Sequence, residues 1–240
     1  MKRLWGHVLA GLSLLFGAAA VFPACVHDNS AIFVRDVLAP ILVTNSAGCA
    51  YSADPAQAYI TSGVLDVALR SEYDATYLVG NQLVPEVNPG QLQTETSIVT
   101  VQGGVVRITD SAGTQLRTFT RLASTSINPA SGGIPTYGAV TVTTIDALTL
   151  ANSADVQSRV VSGGGTVRLV TFVRFFGTTT GGKSVESGEY EFPVDICRNC
   201  LVRCGTTTAG AAMSEPCAYG QDAPVTIDCT ATGGGDAGAG

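Results

Sequence analysis

The chain has 240 residues, of which 13 are basic and 19 acidic, giving a formal net charge of −6, and 45% are hydrophobic. An acidic chain with no local basic stretch repels nucleic acid, which excludes nucleic-acid binding. The length suits one large β domain or two small ones.

The first 25 residues decide how the rest is read. Lys2 and Arg3 precede a run over 4–21 that is apolar apart from His7 and Ser13, and Phe22-Pro23-Ala24-Cys25 closes it. This is the layout of a secretory signal, too short and too weakly flanked for a permanent membrane span. No later apolar run approaches spanning length. The closing segment resembles the lipobox of bacterial lipoproteins, in which a small residue precedes a cysteine that is diacylated and becomes the mature N-terminus. Ala24 and Cys25 match that pattern, whereas Phe22 stands where Leu is usual and Pro23 where a small residue is usual. The resemblance covers this segment alone. It implies a lipid on Cys25 and a membrane anchorage in the bacterial cell envelope, at the outer membrane. The alternative is cleavage after Ala18-Ala19-Ala20, which leaves a secreted or periplasmic protein with Cys25 as a thiol.

Cysteine parity fits the anchor. The chain has seven cysteines, Cys25, Cys49, Cys197, Cys200, Cys204, Cys217 and Cys229, and lipidation of the first leaves six to pair. Exported domains keep disulfides because their compartment is oxidising. Removing residues 1–24 from the 240 leaves 216, and with Lys2 and Arg3 gone 11 basic residues face 19 acidic ones, a net −8. Lys183 is then the sole lysine, and Thr, Ser, Gly and Val abound, as in extracellular β proteins.

After a polar tether over 25–30, the domain is expected over 31–196. A strand over 31–38 stops at Pro40, and 41–55 reads as a loop carrying Cys49. Residues 64–69 and 76–84 are further strands, the second ended by Pro85 and the turn Asn88-Pro89-Gly90. Residues 97–102 alternate, Gly103-Gly104 interrupts, and 105–109 and 115–120 flank Asp110-Ser111-Ala112-Gly113-Thr114 as a hairpin. The Ser-, Pro- and Gly-rich stretch 122–136 reads as loop, and 137–145 as a β-branched strand. Residues 146–161 suit a crossover loop or a turn or two of helix.

The strongest strand covers 166–176, with apolar residues on both faces, as expected for a central strand. Over 189–196, Tyr190, Phe192, Val194 and Ile196 alternate with Glu189, Glu191, Pro193 and Asp195, which marks an antiparallel sheet with one wet face. Pro193 places this strand near an edge. Phe172, Val173 and Phe175 are expected in the core together with Tyr190, Phe192 and Val194. A cysteine-rich appendage over 197–229, packed on the domain, and a Gly/Ala tail over 230–240 complete the chain. Many short strands and little helix make an all-β antiparallel β-sandwich, immunoglobulin- or fibronectin-like.

The candidate chemistry is thin. Cys197-x-x-Cys200-x-x-x-Cys204 has metal-like spacing, and Cys-x-x-Cys also occurs in redox enzymes. In an exported chain with Cys217 and Cys229 nearby, structural disulfides are the expected state of these residues and of Cys49, with no metal. Five cysteines between 197 and 229 cannot pair among themselves, so one of them is expected to bond Cys49 and clamp the two ends of the domain. His27, the one histidine after processing, lies in the tether and cannot be held for nucleophilic catalysis. Glu186, Glu189 and Glu191 are the densest carboxylates for glycoside hydrolysis, against a plain solvated face. Asp110 and Asp146 read as turn formers. Gly163-Gly164-Gly165 precedes a strand, not a helix, so it lacks the phosphate-loop context, and no motif requires a cofactor.

Three function classes are compatible with these features. The first is a non-enzymatic envelope lipoprotein with a structural or adhesive role and a protein or glycan partner. The second is a glycan- or small-ligand-binding module using Tyr51, Tyr59, Tyr73, Tyr77, Tyr137 and Tyr219. The third is a carboxylate-based hydrolase.

Overall fold

A computed structural model describes residues 31–42, 49–86, 95–204 and 217–227. The segment expected to be a secretory signal, Cys25, His27, Cys229 and the residues after it lie outside the described residues. The chain runs β1 (Ile32–Leu38), β2 (Ile41–Leu42), β3 (Cys49–Ala50), β4 (Tyr59–Ile60), β5 (Gly63–Asp66) and β6 (Tyr73–Asn81). It continues through β7 (Val99–Asp110), β8 (Gln115–Ile127), β9 (Thr136–Ile145), α1 (Ala147–Asn152) and a π-helical turn, Val156–Val161. It ends with β10 (Val167–Thr179), β11 (Ser184–Glu186), β12 (Tyr190–Cys197), β13 (Val202–Cys204) and β14 (Val225–Ile227).

One sheet has the order β4-β1-β6-β9, and the other β5-β12-β10-β7-β8 with β11 paired to β10. Their inner residues meet in a single core: Ile32, Tyr77 and Val79 of the first sheet lie with Val106, Val173 and Phe175 of the second. Aromatic contacts cross between the sheets, Tyr77 edge-on to Phe175 with ring centroids 5.3 Å apart and Tyr73 tilted on Phe192 at 6.0 Å. The first sheet is wholly antiparallel, whereas the second is mixed, because β5 pairs in parallel with β12; β13 and β14 form a separate parallel pair.

Several boundaries differ from expectation for local reasons. The strand expected over 76–84 starts at Tyr73 and stops at Asn81, whose buried side chain donates to the carbonyls of Ser97 and Ile127 and so leads the chain out of the ladder. Gly103-Gly104 does not interrupt a strand. The pair lies within β7 beside a bulge, at a point where a Cβ on Gly103 would collide with the Arg121 carbonyl. β8 runs on through the stretch read as loop, to Ile127. Its exposed Leu122 and its run of Thr and Ser hide the alternation of an edge strand. Beyond Asp66 the chain turns instead of extending to Leu69: the Asp66 carbonyl accepts from Leu69 N and Arg70 N, each at 3.0 Å.

Other expectations hold. Asp110 builds the β7–β8 turn by accepting from Ala112 N at 2.9 Å and Thr114 N at 2.8 Å, and Gly113 takes φ +85°. Asp146 caps α1 through Thr149 N and also pairs with Arg117 and Arg121. Val173, Phe175, Phe192 and Val194 are buried, as the alternation requires. Phe172 is not. It lies half-exposed on the outer face, roofed by the Arg107 guanidinium 4.0 Å from its ring centroid, and Tyr190 is also half-buried. Charged side chains of the sheet itself occupy this face: Arg107 pairs with Glu189, Arg168 with Asp195, and Arg174 with Glu186.

Phe192 is 1% exposed, whereas Glu191 on the same strand faces solvent. Phe192→Ala should therefore lower the free energy of unfolding by about 3–5 kcal/mol. Glu191→Ala should stay within about 0.5 kcal/mol of the parent in the same denaturant titration. Equal effects would mean that this register is wrong.

Candidate functional site

The site with the most chemistry in one place lies where the domain meets its appendage. β12 ends at Cys197 and β5 at Asp66, and the parallel register sets these two residues opposite each other. The chain then makes the turn Cys197-Arg198-Asn199-Cys200, with Asn199 at φ +58° and a disulfide joining Cys197 to Cys200. Cys197 is 3% exposed, while Cys200 faces solvent.

Asp66 is fully buried, and its carboxylate is occupied by backbone. One oxygen accepts from Ala68 N at 3.0 Å and Asn199 N at 2.8 Å, and the other from Leu201 N at 3.0 Å. A buried carboxylate with three donors is well compensated, and removing it would strand three N–H groups. Asp66 thus braces the turn through contacts that involve neither sulfur. Its carboxylate and both sulfur atoms lie within 4.8 Å of one another. Among the described residues, those three groups could approach a metal after reduction, but the N–H donors already engage both carboxylate oxygens, which makes Asp66 a poor ligand.

Beside the turn is a cleft of about 300 Å³ lined by Val67, Leu150, Ala151, Val156, Val161 and Arg198, among others. Arg198 ties the turn to the end of the π-helical segment, donating to the Val161 carbonyl at 2.8 Å. The cleft is mainly apolar because α1 and the π-helical turn present small and aliphatic residues to it.

A second cluster docks the appendage. Cys49 is bonded to Cys217, 168 residues on. Just after that bond, Asp222 accepts from Tyr73 Oη at 2.8 Å and from Val64 N at 2.8 Å. Gln221 accepts from Asp74 N at 3.0 Å and donates to the Asp74 carbonyl. Burial pushes the Asp222 carboxyl above its ordinary range, opposed by its hydrogen bonds from Val64 N, Tyr73 and Gln221. Burial, with the nearby Asp222 charge, pushes the Tyr73 hydroxyl far above its ordinary value, so it stays a donor.

Cross-link arithmetic separates the two disulfides. On the chain-entropy treatment, closing 168 residues removes about 5 kcal/mol of unfolded-state freedom, whereas a separation of 3 removes about 2 kcal/mol. The long bond contributes the larger share.

The remaining residues singled out in the sequence are dispersed. Glu186 and Glu189 are each engaged by an arginine, and the Arg107 hydrogen bond holds the Glu189 carboxyl below its ordinary value. Glu191 faces solvent on β12. Tyr73 and Tyr77 are fully buried core residues and cannot serve a sugar platform, while Tyr59 and Tyr219 are exposed. Tyr137 packs edge-on to Phe33 beneath Arg35. Cys204 lies in β13. Asp66 escaped the sequence reading, yet it left a signal: an acidic residue inside the apolar run Val64-Leu65-Asp66-Val67-Ala68.

Asp66→Ala should cost about 2–3 kcal/mol, since the buried Leu201 N–H and the part-buried N–H groups of Ala68 and Asn199 lose their acceptor. A Cys197→Ser/Cys200→Ser double variant should cost less, and denaturant midpoints would rank the two. The same ranking reversed would make the disulfide, not the carboxylate, the support of the turn. Asp222 adds a pH signature. The folded state holds its proton more tightly than the unfolded chain, so its contribution is full below the ordinary carboxylate range. That contribution is lost as pH rises through the raised value. The stability of an Asp222→Asn variant should fall less steeply than that of the parent across that window. The opposite trend from the lowered Glu189 and Asp195 is common to both proteins and cancels in the comparison. Parallel curves would show that the buried charge is not felt.

No protein-family model matches the chain, and no curated protein matches it either. Among solved structures, a protein from Archaeoglobus fulgidus is similar at a TM-score of 0.28 and 12% identity, covering 55% of this chain and 92% of its own.

Proposed function

We propose that the chain is an exported, non-enzymatic protein of the cell envelope, anchored through a diacylated Cys25, whose domain has a structural or adhesive role. The observation that carries the reading is the Cys49–Cys217 bond, which joins the first loop of the domain to its appendage. Structural disulfides are kept mainly by proteins of oxidising compartments. The two disulfides are consistent with an extracellular or periplasmic location, and among the described residues no helix is long and apolar enough to cross a membrane.

We further read the domain as immunoglobulin-like. In that fold one sheet carries strands A, B, E and D and the other G, F and C, extended by C′. The order β1-β6-β9 corresponds to A-B-E, and β12-β10-β7-β8 to G-F-C-C′. The inter-sheet disulfide between B and F in antibody domains has a counterpart here in the contact of Tyr77 on β6 with Phe175 on β10. Such a fold hosts many roles, so it supports a display or adhesion function without specifying a ligand.

The anchor decides the reading. Two acyl chains hold a protein stably where one gives only marginal binding. The native protein should partition into detergent, and the intact mass of its mature form should begin at Cys25 with the acyl chains attached. Cys25→Ser should move it to the aqueous phase. A mature chain beginning at Val21, or unchanged partitioning of the variant, refutes the anchor.

A further inference from the structure

The geometry points to thiol–disulfide exchange at Cys200: the Cys197–Cys200 bond is an acceptor for the cysteine thiolate of a partner polypeptide that carries an apolar side chain beside that cysteine. Three observations converge on it. The two sulfurs are unequal in access, because Cys200 is exposed while Cys197 is 3% exposed behind it. An incoming thiolate therefore meets Cys200 first, and the sulfur that leaves is Cys197.

The bond is also the dispensable one. A disulfide that stabilises the fold strongly is, by the same linkage, protected from opening while the protein is folded. That description fits Cys49–Cys217, with 168 residues between its ends, and not Cys197–Cys200, with 3. The turn has a support besides the short bond, since Asp66 accepts from Asn199 N and Leu201 N through contacts that involve neither sulfur. Exposed disulfides that contribute little to the fold are the labile ones.

The third observation is the cleft beside the turn. Arg198, the second residue of the turn, and Val67, next to Asp66, line it together with Leu150, Ala151 and Val156. A chain whose cysteine reaches Cys200 would lay a neighbouring side chain into this space, and its lining selects an aliphatic one.

The exchange balances without an external oxidant. The partner's thiol loses its proton to solvent, and its thiolate attacks Cys200 Sγ. A bond forms between the partner sulfur and Cys200 as the Cys197–Cys200 bond breaks. The electron pair goes to Cys197 Sγ, which takes up a proton. One disulfide is consumed and one mixed disulfide is made. The result is a covalent link between the two chains, reversed when Cys197 attacks Cys200 and expels the partner. This goes beyond the envelope reading and does not require the anchor at Cys25, so each can fail alone.

The test uses the full mature protein with two peptide probes, N-acetyl-Leu-Cys-Leu-amide and N-acetyl-Ser-Cys-Ser-amide, with alkylation and mass mapping at timed points. Burying one leucine side chain is worth enough to predict adduct formation about tenfold faster with the first probe. The adduct should map to Cys200, with Cys197 alkylated and Cys49–Cys217 intact. Ala151→Arg places a charge at an exposed position of the cleft lining. It should bring the two probes to within about twofold of each other. The wild-type comparison stands even if that variant folds poorly. An adduct on Cys197, opening of Cys49–Cys217 at the same rate, equal rates for the two probes, or no adduct before unfolding would each overturn the proposal.

Discussion

The parallel pairing of Gly63–Asp66 with Val194–Cys197 is the contact on which the rest of the molecule depends. Parallel neighbours cannot be joined by a tight turn and need a crossover. Here the crossover is nearly the whole domain, because every strand from β6 to β11 lies between the two partners in sequence. The pairing therefore closes the domain by bringing its early part to its last long strand. Its register is consequential, because slipping one residue would turn the Asp66 side chain to the opposite face of the strand. The carboxylate would then leave the N–H groups of Asn199 and Leu201 without an acceptor.

The appendage after β12 cannot hold itself together by burial. Among its described residues beyond Cys197, Leu201 and Val225 are the buried hydrophobic side chains. A segment so poor in apolar surface must be held by cross-links and by polar groups whose desolvation is compensated. The two carboxylates divide that task reciprocally. Asp66, on the domain, takes N–H groups from the appendage, and Asp222, on the appendage, takes the N–H of Val64 from the domain. Gln221 adds a side-chain imitation of a strand, offering its amide to both the N–H and the carbonyl of Asp74. Each of these groups would be costly if buried alone and contributes only as part of the docked set.

Periodicity made the body of the fold legible. The alternation of β12 and the Asp-Ser-Ala-Gly-Thr turn of the β7–β8 hairpin arise from side-chain period and from local carboxylate-to-backbone bonds. Both are written in neighbouring residues. The features that escaped were set by distant residues. Gly103-Gly104 reads as a break until the Arg121 carbonyl is seen against it. Phe172 reads as core until Arg107, far away in sequence, is found over its ring. Asp66 fared likewise. An acid in an apolar run is a local oddity, but its meaning depends on donors more than 130 residues away. The parallel register that brings them together leaves no periodic trace.

The placement of the cross-links completes this logic. In the body, where Tyr77 meets Phe175 and Tyr73 meets Phe192 across the two sheets, aromatic burial supplies the cohesion, and neither disulfide lies there. Both disulfides lie at the appendage, where burial is scarce. Of the two, the bond spanning 168 residues restricts the unfolded chain strongly, while the bond spanning 3 adds little to a turn already held by a carboxylate. The cross-link that contributes the smaller share of stability, with one sulfur in solvent and an aliphatic cleft beside its turn, is the one placed to serve chemistry. The same Asp66 that makes the short bond dispensable to the fold keeps its two sulfurs in reach of each other. An opened bond can therefore close again.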